Sequence, residues 1–317
     1  MGRKDLERLV WKLQYMHLAV PGAVAHLYHI QRALSQVGTN RAWISPDFHR
    51  EIADWNTLAD QTADRPTHLT EIVRHKPTHL GFCDASGLGG GGVWLDPSRL
   101  GKDLVWRHPW PADIIADLVS SMNSEGTIKN SDLEFATLVL HEATLPAAVP
   151  EARLAATRSG SDNTPTVSWS TKEASTINPV VADLLRLRTL HSRQFFINTS
   201  VFYHPGIDNC MADDASRLFE LSDTSLLAHM SSVYPQSQSL WTISLPPPDL
   251  ISCVISTLHR SSCERELHKI LASRGSTSSG ETYAPPSRSI LLSYIHPSVA
   301  PRSCKCTGTG SDLLSGL

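Results

Sequence analysis

The chain lacks any long hydrophobic run: no stretch of its 317 residues approaches the roughly 20 apolar residues that a bilayer crossing requires. Met1 to Lys12 is charged and has no apolar signal-peptide core. The expectation is an intracellular protein with no membrane segment. A basic excess is also missing, since 28 Lys and Arg stand against 31 Asp and Glu for a formal net charge of -3. A protein that holds nucleic acid by charge alone carries a basic surplus, so tight non-specific binding is disfavoured. An enzyme that grips a polyanion through divalent metals is not excluded. Cysteine is sparse, at six residues, and only Cys304 and Cys306 lie close together, with no matching second pair. That excludes a zinc ribbon and a disulfide framework. No internal repeat is visible, which removes solenoids. What remains is a 41% hydrophobic chain, long enough for one or two domains with real cores.

Leu6, Leu9, Val10, Leu13, Met16 and Val20 recur at helical spacing and stop at Pro21-Gly22. Val24, Leu27, Tyr28 and Leu34 continue with a second helix. Ser45-Pro46-Asp47, a cap followed by proline at the first helical position, opens a third. Residues 1–75 are therefore expected to form a helical segment. After Pro77 the pattern changes. His79 to Asp84 reads as a buried strand, Gly87 to Gly92 as a glycine-rich turn, and Gly92 to Leu95 as a returning strand. Asp103 to Arg107 is a third strand candidate, followed by a helix over Ser131 to Ala143. A weak strand is expected near Arg153 to Arg158, a helix from Pro179, a strand over Phe195 to Tyr203, and a last helix from Asn209. Three antiparallel strands followed by strands alternating with helices make a mixed α/β sheet over residues 76–220. Residues 221–275 carry helical periodicity as an extension, and residues 276–317, rich in Ser, Thr, Gly and Pro, read as a disordered tail.

Four carboxylates stand at strand ends and helix starts: Asp84, Glu134, Asp162 and Asp213. In one sheet such positions can converge, binding two hard cations through oxygen while leaving room for water and phosphate. Each also has a plainer explanation. Asp84 suits a turn, Glu134 completes a Ser131-x-x-Glu134 capping box, Asp162-Asn163 resembles a cap pair, and Asp213-Asp214 would complement a helix dipole. Lys172, Arg186, Arg188 and Arg193 are candidate phosphate contacts, with a solvated helix face as the alternative.

The four acidic motifs together carry a resemblance. Phe82-Cys83-Asp84-Ala85-Ser86, Asn130 to Ala136, Ser161-Asp162-Asn163 and Asn209-x-x-Ala212-Asp213-x-x-Ser216-Arg217 resemble those of the ribonuclease H domain of retrotransposon polyproteins, of gypsy-like or DIRS-like type. Leu13-Gln14-Tyr15-Met16 and Val20-Pro21-Gly22 resemble the thumb or connection that follows a reverse-transcriptase palm; no Tyr/Phe-x-Asp-Asp motif of a palm precedes them. The resemblance implies a ribonuclease H-like mixed five-stranded sheet flanked by helices. It implies hydrolysis of the RNA strand of an RNA–DNA hybrid, with the 2′-hydroxyl distinguishing RNA. By the same resemblance Asp84, Glu134, Asp162 and Asp213 ligate two Mg2+ ions, with Mn2+ as a substitute. His204 corresponds to a mobile histidine that assists product release, or is a strand-end histidine before a turn. A palm on a longer polyprotein would be the protein partner. The competing expectations are a catalytically inactive remnant that at most binds nucleic acid or a protein partner, and a DNA-strand-transfer enzyme of the same superfamily. One departure stands out: Ala155 to Gly160 is poor in the β-branched and aromatic residues that a central strand favours.

Overall fold

The computed structural model describes residues 1–36, 44–64, 66–73, 75–96, 103–152, 155–174, 178–195, 197–236 and 240–259. The expected tail over 276–317, with Cys304 and Cys306, lies outside the described residues. The helical opening forms as expected. α1 (Arg3–Met16) buries Leu6, Val10 and Leu13, α2 (Tyr28–Ser35) buries Ile30 and Ala33, and α3 (Pro46–Asp64) buries Phe48, Trp55 and Leu58. These side chains share one apolar cluster. The α3 cap is as read, with the Phe48 backbone N–H donating to Ser45 Oγ at 3.1 Å. A single turn, α4 (Leu69–Ile72), leads to the sheet.

Among the described residues six strands form one mixed sheet in the order β5-β4-β1-β2-β3-β6. β1 (His79–Ala85), β2 (Gly89–Leu95) and β3 (Leu104–Pro109) are antiparallel neighbours. β4 (Ala156–Ser161) runs parallel to β1, and β5 (Asn198–Tyr203) runs parallel to β4. Between strands lie α5 (Ala112–Ala116), α6 (Asn130–Ala148), α7 (Thr164–Lys172) and α8 (Pro179–Phe195). α9 (Cys210–Arg217) and α10 (Asp223–Val233) follow, then the two-residue β6 (Thr242–Ile243) and a helical stretch over residues 248–259. This is an α/β, ribonuclease H-like sheet flanked by helices. The five expected strands are present, and β6 adds a sixth at the edge by pairing with Leu104 and Val105.

Two sequence readings need correcting. Gly89 to Gly92 are not turn residues; they begin β2, and the turn is only the bend at Gly87 and Leu88. Glycine is required there by close packing on both faces. A Cβ on Gly91 would lie 2.5 Å from the Ala215 carbonyl carbon of α9, and one on Gly90 would lie 2.4 Å from Thr137 Oγ1 of α6. Helices α9 and α6 thus cover opposite faces of the sheet. The weak strand near Arg153 to Arg158 is displaced: β4 starts at Ala156, pairs along its whole length with β5, and pairs through Thr157 to Gly160 with β1. Its small residues answer crowding rather than marking a deformed strand. A Cβ on Gly160 would sit 2.9 Å from Phe82 and 3.0 Å from His204, and Ser159 and Ser161 are completely buried. Burial and neighbours here override intrinsic strand preference.

Two apolar clusters sandwich the sheet. One joins α6, α8 and residues of 250–258 around Trp106, Phe135 and Leu138; the other joins α9 and α10 to Phe82, Val93 and Val105. His141 of α6 is wholly buried, stacks on Trp94 at 4.2 Å, and accepts from Trp106 Nε1 at 2.9 Å. Burial lowers its pKa to about 3, so it is a neutral packing residue that fixes α6 on the sheet.

Candidate carboxylate site

Parallel register accounts for the first pair of carboxylates. Phe82 pairs with Gly160, so two residues on, and on the same face, Asp84 comes level with Asp162 just past the end of β4. Helix α6 supplies Glu134, its fifth residue, just past the first turn. One ligand oxygen each from Asp84, Glu134 and Asp162 lies within 4.8 Å of the others. Asp84 and Glu134 are 5% and 4% exposed, while Asp162 is half-buried.

The plain explanations for two of these residues fail. Glu134 does not cap its helix: α6 starts at Asn130, and Asp132 Oδ2 accepts the Lys129 backbone N–H at 3.1 Å. Asp162 does not cap α7 either, because Asn163 Oδ1 accepts from Thr166 N at 2.9 Å. Both carboxylates are left facing one another. Glu134 Oε1 receives Asn130 Nδ2 at 3.3 Å, and Glu134 Oε2 is buried and accepts no side-chain hydrogen bond.

The electrostatics record that crowding. Burial pushes the Glu134 carboxyl well above its usual range, and the charges of Asp84 and Asp162 push it further. Burial also raises Asp84; a hydrogen bond from Ser216 works against the rise, and the charges of Asp162 and Asp213 add to it. Asp213 lies in the first turn of α9, outside the 4.8 Å group, with Oδ1 accepting from Arg217 Nε at 2.5 Å. Its neighbour Asp214 turns away and accepts from His229 Nε2 at 2.7 Å and Tyr234 Oη at 2.8 Å. His204 follows β5, its ring 4.7 Å from Phe82 and its backbone N–H donating to Ser161 O at 3.0 Å.

The basic candidates are corrected. Arg186 and Arg193 are buried, and Arg188 is bound bidentately by Glu142 at 2.7 and 2.9 Å. Arg186 pairs with Asp54 and Asp183, and Arg193 with Glu71. These guanidinium groups hold helices together and are not offered to phosphate; Lys172 alone of the four is solvent-exposed. Sequence reasoning also missed Ser216, whose Oγ donates to Asp84 Oδ2 at 2.7 Å. Its only signal was the serine that ends the Asn209-to-Arg217 motif, two helical turns after Asn209.

No protein-family model and no curated protein matches the chain. Among solved structures, the foamy viral protease-reverse transcriptase in complex with double-stranded DNA is similar at a TM-score of 0.25 and 12% identity, over 64% of this chain and 34% of that one. A mutant prototype foamy virus protease-reverse transcriptase gives a TM-score of 0.23 and 9% identity, over 66% and 26%. The foamy viral enzyme in complex with an RNA/DNA hybrid gives 0.22 and 12%, over 65% and 25%. This chain thus spans about a third or less of those proteins. Likeness at these TM-scores carries no weight beside the sheet order and the carboxylate geometry. Among the described residues no helix is long and apolar enough to cross a membrane.

Proposed function

We propose that the chain is a metal-dependent endonuclease that cleaves the RNA strand of RNA–DNA hybrids, as a segment of a retrotransposon polyprotein. The supporting observation is the meeting of Asp84, Glu134 and Asp162 within 4.8 Å, with Glu134 Oε2 buried and accepting no side-chain hydrogen bond. Like charges in a desolvated site are costly unless a cation or a proton joins them. The donors are all carboxylate oxygens, which suits hard divalent ions such as Mg2+ or Mn2+ over softer metals. Asp84, Glu134 and Asp162 would hold them, with Asp213 completing the set once Arg217 releases it. Bound divalent ions would supply Lewis acidity to an attacking water and to the leaving oxygen of a phosphodiester. The chain's own part is to hold the carboxylates rigidly on two strands and a helix, so that no reorganisation is needed when charge develops. Selection of a hybrid requires contact with the RNA 2′-hydroxyls and an A-like minor groove.

A second reading, an inactive remnant that binds nucleic acid or a protein partner, draws support from the Arg217–Asp213 pair, which keeps one of the four acids engaged. Cleavage of a labelled RNA–DNA hybrid in Mg2+ separates the two. The native chain should cut the RNA strand, and Asp84→Asn should lower the rate by about a thousand-fold, the equivalent of several kcal/mol of transition-state stabilisation. Absent cleavage, or cleavage that survives the substitution, overturns the enzyme reading.

A further inference from the structure

The motif that ends at Ser216 and Arg217 does more than carry Asp213. Ser216 is completely buried, so water does not compete for its hydroxyl. Its Oγ lies 2.7 Å from Asp84 Oδ2 and 3.0 Å from the Asp213 carbonyl oxygen. A serine hydroxyl has one proton to donate, and the shorter contact to a charged acceptor takes it.

The surrounding backbone makes this contact unavoidable. Helix α9 is fastened on either side of Asp84. At its start Asn209 Nδ2 donates to Cys83 O at 3.2 Å, and at its end Ser86 Oγ donates to Ser216 O at 2.5 Å. Between them Gly91, the β2 partner of Asp84, admits the α9 backbone, since a Cβ there would lie 2.6 Å from Ser216 N. Two turns of helix separate Asn209 from Ser216, which puts both on the sheet-facing side with the buried Ala212.

We infer that Ser216 is a positioning residue for the cation site: its hydroxyl fixes the rotamer of Asp84 and occupies one lone pair of Oδ2, so that the remaining lone pairs are presented to the metal. The inference rests on the metal-site reading proposed above. Groups that orient a ligand carboxylate in this way typically alter metal affinity by about ten- to a hundred-fold when removed.

The test is direct titration of the full chain with Mn2+ alone, by electron paramagnetic resonance, alongside thermal unfolding in chelator. Ser216→Ala should weaken Mn2+ binding by about ten- to a hundred-fold. Ser216→Cys, which keeps volume with a feebler donor, should fall between and carries the test if the alanine variant does not fold. Ser86→Ala is the control, because it loosens the same helix contact without touching a carboxylate, and should leave the Mn2+ dissociation constant near the native value. Unchanged affinity in both Ser216 variants overturns the inference while leaving the metal site standing. Equal weakening in Ser86→Ala overturns it too, because general loosening of α9 would then suffice. A native chain that binds no Mn2+ overturns the metal site itself, and the role of Ser216 with it.

Discussion

Two regions of this protein bury carboxylates, and they treat them in opposite ways. Where the helical segment meets α8, Asp54 accepts Arg186 Nε at 2.8 Å and His26 Nδ1 at 3.1 Å, and Asp183 accepts Arg186 Nη1 at 2.7 Å. Nearby Glu51, fully buried and pushed up by that burial, has both oxygens answered by backbone N–H groups of α2, from His29 and Ile30, each at 2.9 Å. Burial would raise the Asp54 carboxyl, yet the His26 hydrogen bond and the Arg186 charge outweigh it and hold it below its usual value. At the end of β1 burial is deeper than at Asp54, no buried cation among the described residues answers it, and Asp84 and Glu134 are both pushed up. The first cluster is closed within the chain. The second is left open, which is the arrangement expected of a site that acquires its positive charge from outside.

The comparison is tested hardest by removing the internal cation. Arg186→Met should destabilise the fold by about 3–5 kcal/mol, because Asp54 and Asp183 would both lose the guanidinium that they share. Urea unfolding checks this, and a loss under about 1 kcal/mol would mean that the two regions are not as different as their geometry implies. Native Mn2+ affinity should survive the change in any protein that remains folded.

Why Arg186 was misread as a surface or phosphate-binding residue is instructive. Helical periodicity put Val181, Leu184 and Leu185 inward, but nothing in the chain announced that Asp54, from α3, would meet Arg186. Contacts between distant segments are invisible to local pattern. The same limit hid Ser216, whose partner lies 132 residues away. By contrast the strands β1, β3 and β5 and the helices α6 and α9 were legible, because apolar runs bounded by turn and cap residues are written in the local sequence. The glycines of β2 misled for a physical reason, since residues selected for close packing look like residues selected for turns. Asp84, Glu134 and Asp162 were placed by their positions at element ends, and the structure brings those three together. Asp213 was placed by motif, and lies next to them but engaged with Arg217. His204 stands at the end of β5 as expected, and its ring packs on Phe82.

A smaller effect of opposite sign should follow from neutralising the open cluster. Glu134 has a folded pKa above its unfolded one, so the folded chain binds the extra proton. Stability contributed by that proton is full below the unfolded value, near 4.5, and is lost as pH rises toward the folded value. At neutral pH in chelator, Glu134→Gln should therefore be more stable than the native chain, read as a higher urea midpoint. The advantage should vanish near pH 4, and the variant should lose any rise in Tm on adding Mg2+. Destabilisation at neutral pH would show that the site is balanced without a cation.

Arg217 gives the finest distinction, because it is the cation that stands beside the open cluster. Its side chain is 58% exposed and that of Asp213 is 42% exposed, so the pair is screened by water and worth at most about 1 kcal/mol. It cannot compensate the buried acids as Arg186 does. It can only withhold Asp213 from a cation by that same small amount. Arg217→Gln should accordingly leave Tm in chelator almost unchanged and tighten Mn2+ binding by no more than about five-fold, the rate of exchange for 1 kcal/mol. Weaker binding in this variant would mean that Arg217 helps to hold Asp213 in position for the metal; the ion pair would then belong with the orienting contact of Ser216, and its strength would count in favour of the site rather than against it.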